Sequence, residues 1–491
     1  MRPTDKFPPV PAVNLSAAST IVQERQYELI TPLCGGGVDP FEPDPQTLIR
    51  GTSIRGHLRF WWRACRGGQF GPHLADMKRY EDVLWGAAST SAQPRPSQVQ
   101  IVVSSIKPGE DSYPFVIQPN QQGRRVVRAN NNVAPAYAAF PLQPTQEEVQ
   151  ADVETKRVKA GVEFTLRILF PENIKLENTK WDIQPEIAAA LWCWETFGGL
   201  GARTRRGFGA LRLLAVQQGP DKKPVPLDMP PADQQQAHAW IRQHLQAHQQ
   251  SSFTQEQTWP NAVPHLDPLL DTDTLRVTAV SNQTNQKPSR LAFERWNDLI
   301  EGLKAFRQQR REIPGGPGIP RQIGRNHWPE PDSIRMWTRQ HLHPRHAQPV
   351  SLDPNFPVGT FPRAVFGLPI ETQFKDRNRH NLNAPHADPR KTVLQLKQRE
   401  RLASPLILRP LTCAGGKAVG LALLLKGCTV QDAVQAGDTL QLKTRDGARA
   451  EWTVTSDLTP AASLAISTKD GHTSLLGGET NILKAFLDTL A

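Results

Sequence analysis

The chain is poor in the residues that build extracellular scaffolds and metal centres. It has five cysteines in 491 residues. Cys34, Cys65, Cys193, Cys413 and Cys428 form no C-x-x-C pair, so neither a disulfide framework nor a zinc site is expected, and a reducing compartment fits best. No apolar run approaches the roughly 20 residues that span a bilayer, and Met1–Pro9 lacks the apolar core of a signal peptide. The expectation is a cytoplasmic protein with no membrane partner. Catalytic signatures are also missing: there is no G-x-S-x-G elbow and no H-E-x-x-H. Gly35-Gly36-Gly37 follows an expected strand, but no Gly-Lys-Ser/Thr comes after it, which excludes a phosphate-binding Walker loop.

Two stretches contain no acidic residue at all: Arg50 to Arg63, which carries Arg50, Arg55, Arg59 and Arg63, and Gly198 to Gly209, which carries Arg203, Arg205 and Arg206. A surface selected only for solubility mixes its charges. Clustered arginine gives bidentate contacts to phosphate, and Gly199, Gly201, Gly207 and Gly209 let backbone amides approach it closely. The chain as a whole has a net charge of +11 and a pI near 9.5. Residues 283–346 contribute much of this, with twice as many Lys and Arg as Asp and Glu. Arg307, Arg310 and Arg311 head that tract, and Arg321 and Arg325 follow. The pattern points to a polyanion, most directly RNA.

The 44 prolines favour short elements and long loops over long helices. A strand is expected over Gln26–Leu33, and a second where Val162, Phe164, Leu166, Ile168 and Phe170 alternate. Between them, a helix beginning near Thr52 places Ile54, Leu58, Trp61, Trp62 and Cys65 on one face and Arg55, Arg59, Arg63 and Arg66 on the other, turned outward. Pro185 starts another helix that closes at Gly198, and a strand resumes at Ala210, so the second glycine loop runs from helix to strand. That order also excludes a dinucleotide fingerprint, which needs strand, loop, then helix.

Strand, helix, two strands, helix and strand make a βαββαβ unit. The fold class is therefore α+β, with two ferredoxin-like (RRM-like) domains and extended loop insertions: residues 1–216, a connector with one helix at 217–273, and residues 274–491. The second unit opens with a strand at Leu275–Val280 and a helix in which Ala292, Trp296, Leu299, Leu303 and Phe306 form a core stripe. Later strands are expected near Ala364–Phe374, Leu406–Leu411, Val419–Lys426 and Ala450–Ser456.

Thr31-Pro32-Leu33-Cys34-Gly35-Gly36-Gly37, Arg50-Gly51-Thr52-Ser53-Ile54-Arg55-Gly56 and the loop Gly199-x-Gly201-x5-Gly207-x-Gly209 together resemble the RAMP proteins of CRISPR effector complexes. The nearest likeness is to the first-numbered subunit family of the type III-B, or Cmr, complex. The likeness continues through Trp328–Arg335, Pro362–Ile370 and Ala403–Pro410. It implies a non-catalytic subunit that binds the 3′ portion of a guide RNA and captures target RNA in antiviral defence. Other Cmr-type subunits would be its partners, and no small-molecule substrate or cofactor is implied.

Two other readings stand beside it: a metal-independent endoribonuclease using His57 or His327, and a structural cap that touches only protein. Phe208 is the candidate for stacking on a base, whereas Phe60, Trp61, Trp62, Trp192 and Trp194 are expected in the core. His341, His343 and His346 lack nearby Cys or carboxylate ligands and are not expected to bind a metal.

Overall fold

The computed structural model describes residues 20–88, 95–176, 179–249, 258–281, 286–308, 310–313, 322–326, 328–339, 359–374, 391–445, 453–458, 479 and 481–490. The segment Pro314–Pro320, Arg321, His327, His341, His343 and His346 lie outside them.

The first half is built on one antiparallel sheet. Its strands are β1 (Thr20–Leu29), β2 (Gln100–Lys107), β3 (Glu163–Pro171), β4 (Leu211–Gln218) and the short β5 (Lys223–Val225), in the spatial order β5-β4-β1-β3-β2. Helix α1 (Gly51–Arg66) follows β1, α2 (Leu74–Trp85) comes next, and α3 (Gln184–Phe197) links β3 to β4. The alternation expected in β3 is present, since Phe164, Leu166, Ile168 and Phe170 are all buried. In β1, Tyr27 lies opposite Phe164 with the rings stacked at 5.1 Å. The apolar stripe of α1, Ile54, Leu58, Trp61, Trp62 and Cys65, joins the same core. Pro185 stands in the first turn of α3, where its missing N–H costs nothing, and Gly198 ends that helix. Between β2 and β3 the chain makes a hairpin, Phe115–Pro119 with Arg125–Ala129, and a short helical turn, Ala136–Ala139.

The segment expected to be a connector is part of the core. Its helix α4 (Gln234–Gln249) buries Ala237, Ile241 and Leu245 in the cluster that holds α1 and α3.

The second half differs from a single βαββαβ sheet. Strand β6 (Leu275–Val277) is followed by α5 (Pro288–Arg307), β7 (Ile370–Thr372), β8 (Lys391–Leu396), β9 (Leu406–Thr412), β10 (Ala418–Leu424), β11 (Leu440–Arg445) and β12 (Thr453–Leu458). They form two sheets, β6-β10-β9 and β7-β8-β11-β12. A last strand would be expected beside β6, but β11 pairs with β8. The open side of β6 is held by α4, where Gln234 Nε2 donates to the Val277 carbonyl at 2.8 Å.

The halves share their interiors. Ile407, Leu421 and Leu423 pack into the first core, while Cys34 and Phe208 pack with Trp296 and Leu408 in the second.

Candidate nucleic-acid interface

Helix α1 begins without a capping side chain and without an acidic residue in its first turn, so its positive end is uncompensated locally. The arginines along its length do not form the free outward basic face expected from the sequence. Arg66 is buried and clamps Glu186 of α3 with Nε and a terminal nitrogen at 3.1 and 2.6 Å. Arg59 and Arg63 both donate to Glu81, at 2.8 and 3.1 Å. The cause is α2, which lays Glu81 across the basic face. Arg55 is half-buried, with its Nε unpaired, and Arg50 is paired with Asp44.

The loop between α3 and β4 keeps its charge. Arg203 Nε donates to the Ala138 carbonyl at 2.6 Å, Arg205 donates to the Ser404 carbonyl, and Arg206 donates to the Leu406 carbonyl at 2.9 Å. Arg307, at the end of α5, joins them. Its charge acts on Arg206, it lies against Tyr137, and it sits over the Phe366 ring at 5.3 Å. Among the described residues, no carboxylate makes an ion pair with any of these four. Glu330, the carboxylate acting on Arg307, is held by Arg363 at 3.1 Å.

Burial lowers the pKa of all four, and for Arg206 burial together with the charges of Arg307, Arg203 and Arg205 brings it down to about 9. All remain charged at neutral pH. The neighbouring thiols do not neutralise them, because burial pushes Cys34 and Cys428 up to about 11. Keeping unpaired charges half out of water costs on the order of several kcal/mol, which a bound polyanion would offset.

The loop glycines are needed by the protein itself. Gly207 and Gly209 have φ of +84° and +61°. A Cβ at Gly207 would come within 2.5 Å of Trp296 Nε1, and one at Gly209 within 1.9 Å of the Leu200 carbonyl oxygen. Gly199 and Gly201 are confined less severely, a Cβ there coming within 2.9 and 2.6 Å of the Gly209 and Cys34 carbonyl oxygens. Thr31 fastens the loop from below, donating to the Gly207 carbonyl at 2.6 Å and accepting from the Ala210 amide at 2.8 Å.

Phe208 cannot take the stacking role read from the sequence. It is fully buried, edge-on to Trp296 at 4.9 Å. A Phe between two glycines reads as exposed in the sequence; the partner that covers it lies about ninety residues away in α5. Arg310 and Arg311 open a strand, Arg310–Ile313, paired with Gln322–Asn326.

Two cavities flank His57, and Ser53 lines both. One, of about 300 Å³, is bounded by Gly35–Gly37, Arg50 and Gly201; the other, of about 440 Å³, by Phe60, Trp61, Thr204 and Arg205. The His57 ring stacks on Trp194 at 6.5 Å, and burial drops its pKa to about 4, so the imidazole is neutral at pH 7. A histidine whose folded pKa lies below its unfolded value of about 6.5 contributes stability above that pH and loses it as pH falls toward the folded value. Acidification from pH 7 to 5 is therefore expected to cost about 2 kcal/mol through His57. His248, also lowered to about 4 by burial, acts in the same window. Denaturant unfolding of a His57→Phe variant at both pH values should give a shallower loss than the parent protein; equal losses would contradict the burial account.

The residues missed from sequence are Tyr137, Arg363 and above all Arg409, whose guanidinium is fully buried. Its signal was there: a charged residue in the middle of the apolar run Leu406–Leu411. Among the described residues, no helix is long and apolar enough to cross a membrane, and no three His, Cys, Asp or Glu gather as a metal site.

Residues 26–212 match the model of the RAMP superfamily. Over 195 residues the chain is 23% identical to a Pyrococcus furiosus protein named CRISPR system Cmr subunit Cmr1-2, covering 39% of this chain and 94% of that protein. Two solved structures are similar over most of the chain. One is the apo form of Cmr1 from Pyrococcus furiosus, with 16% identity, a TM-score of 0.39, and 82% and 87% of the two chains covered. The other is a chain of the type III-B Cmr-beta bound to cognate target RNA, with 11% identity, a TM-score of 0.43, and 84% and 97% covered.

Proposed function

We propose that this chain, a RAMP-superfamily protein by its residues 26–212, is a non-catalytic RNA-binding subunit of a type III-B (Cmr) CRISPR RNA-guided complex. In this reading it holds the 3′ portion of the guide RNA and receives target RNA, working in the cytoplasm beside other Cmr-type subunits. Two ferredoxin-like units, 1–216 and 274–491, joined through 217–273, belong to the same reading, the second with its strands divided between two sheets and the joining helix packed into the first core. The strand order β4-β1-β3-β2 around α1 and α3 supports it for the first unit.

The observation that carries the proposal is the group Arg203, Arg205, Arg206 and Arg307, which is charged, half-buried and supplied only with uncharged acceptors among the described residues. Such a group holds phosphates without reading bases, so sequence selection is left to pairing between the two RNAs. Arg50, which lines the cavity of the glycine triplet, and Arg55 extend the proposed path, Arg59 and Arg63 are engaged by Glu81, and Arg310 and Arg311 belong to the reading by charge alone.

Changing Arg203, Arg205 and Arg206 together to Ala is expected to weaken RNA binding for all sequences alike. The slope of log affinity against log salt should flatten by up to about 2, since each phosphate contact to a single strand contributes about 0.7. Fluorescence anisotropy across a salt series measures this. An unchanged slope in a folded triple variant would remove the loop from the RNA path.

A further inference from the structure

Phe140 is 67% exposed, although the residues around it are not: Ala138, Ala139 and Leu142 are buried in the second core. The backbone under the ring is thus fixed, and the ring projects from an anchored turn. That same turn meets the arginine group twice. The Ala138 carbonyl accepts from Arg203 at 2.6 Å, and the Tyr137 side chain is hydrogen-bonded to Arg307. Phe140 is thus an exposed aromatic two residues beyond the carbonyl that holds Arg203, and cations for the backbone with a ring for a base are the combination that single-stranded nucleic-acid grooves use. The competing rings are occupied, Phe208 by Trp296 and Phe60 by Arg205 at 5.7 Å.

We infer that Phe140 is the base-stacking residue of this interface, taking the face of an unpaired base whose neighbouring phosphates are held by Arg203, Arg206 and Arg307. The inference rests on the RNA-binding reading above. Because the side chain is largely exposed, its removal should leave the fold intact.

The test uses the full chain, a labelled 15-nucleotide single-stranded RNA and an abasic strand of the same length. Phe140→Ala should weaken binding of the RNA about five- to a hundredfold, leave the abasic strand unaffected and keep the salt slope. Phe140→Tyr should restore binding. Equal weakening of both probes would show that the turn only positions arginines and would overturn the inference. So would unchanged RNA binding by Phe140→Ala, including the case in which that variant instead loses a protein partner. If the unaltered chain binds neither probe, the RNA reading itself falls. If Phe140→Ala has no effect while the triple arginine variant loses both probes, that reading stands and only the stacking role fails.

Discussion

Replacing Arg409 with methionine is expected to lower stability by about 3 to 5 kcal/mol and to weaken RNA binding in the fraction that stays folded. The guanidinium is completely buried, and four backbone carbonyls surround it: Pro410 at 3.0 Å, Glu195 at 2.8 Å, Gly198 at 2.6 Å and Leu211 at 3.1 Å. Burial lowers its pKa to about 9, so it is a cation at neutral pH, and it sits at the C-terminal end of α3, where the helix dipole favours one. Methionine matches the length of the stem, but it leaves four carbonyls without donors, each costing about 1–3 kcal/mol, against the relief of no longer burying a charge. Lysine should fall between the two, with the donors but not the planar fork. Gly198 and Leu211 are the two ends of the arginine loop, so one side chain from β9 closes it. Denaturant unfolding and anisotropy on the same preparation separate the two effects. Full stability in Arg409→Met would contradict this account.

Glu186→Gln is expected to cost about 3 to 5 kcal/mol, because it leaves a guanidinium buried without a countercharge. Glu186 accepts from Trp62 Nε1 at 2.7 Å, from Arg66 at 3.1 and 2.6 Å, and from Gln69 at 3.3 and 3.2 Å, and both members of the ion pair are buried. Glutamine keeps the shape and loses the charge. Removing both charges, as Glu186→Gln with Arg66→Met, should recover much of the loss, since a buried pair is often no better than apolar packing. The salt slope for RNA should not move in any of these variants, because Arg66 does not reach the surface. Recovery in the double variant, followed by urea unfolding, is the decisive result; a double variant weaker than Glu186→Gln alone would mean that Arg66 has another role.

Local patterns carried the first half well. Alternation marked β3, the apolar stripe marked α1, and Pro185 with Gly198 marked both ends of α3. These signals come from one element meeting one buried face. What the sequence did not disclose were partners far apart in it. Arg66, three residues after Arg63, continues the helical row of Arg59 and Arg63, and it is the pairing with Glu186, 120 residues on, that holds it inside. The split of the second half into two sheets was hidden for a similar reason. Strand β11 pairs with β8, and the open side of β6 receives a glutamine from α4, a contact between residues 43 apart that no local pattern announces. At the interface, the arginine loop was legible as composition. Its neutralisation state was not, because that depends on where carboxylates end up.

Two of the three arginines in the loop between α3 and β4, Arg205 and Arg206, find their acceptors at Ser404 and Leu406, 199 and 200 residues further along the chain. A ribosome adding roughly 5–20 residues per second reaches them about 10 to 40 s after Arg206 has emerged. Throughout that interval the first half can close its sheet, and Arg203 can reach the Ala138 carbonyl, but Arg205 and Arg206 wait without the segment that orients them. If the proposed RNA-binding role holds, the nascent chain gains its grip late and abruptly, when β9 docks, which limits the time an incomplete polypeptide could sequester cellular transcripts.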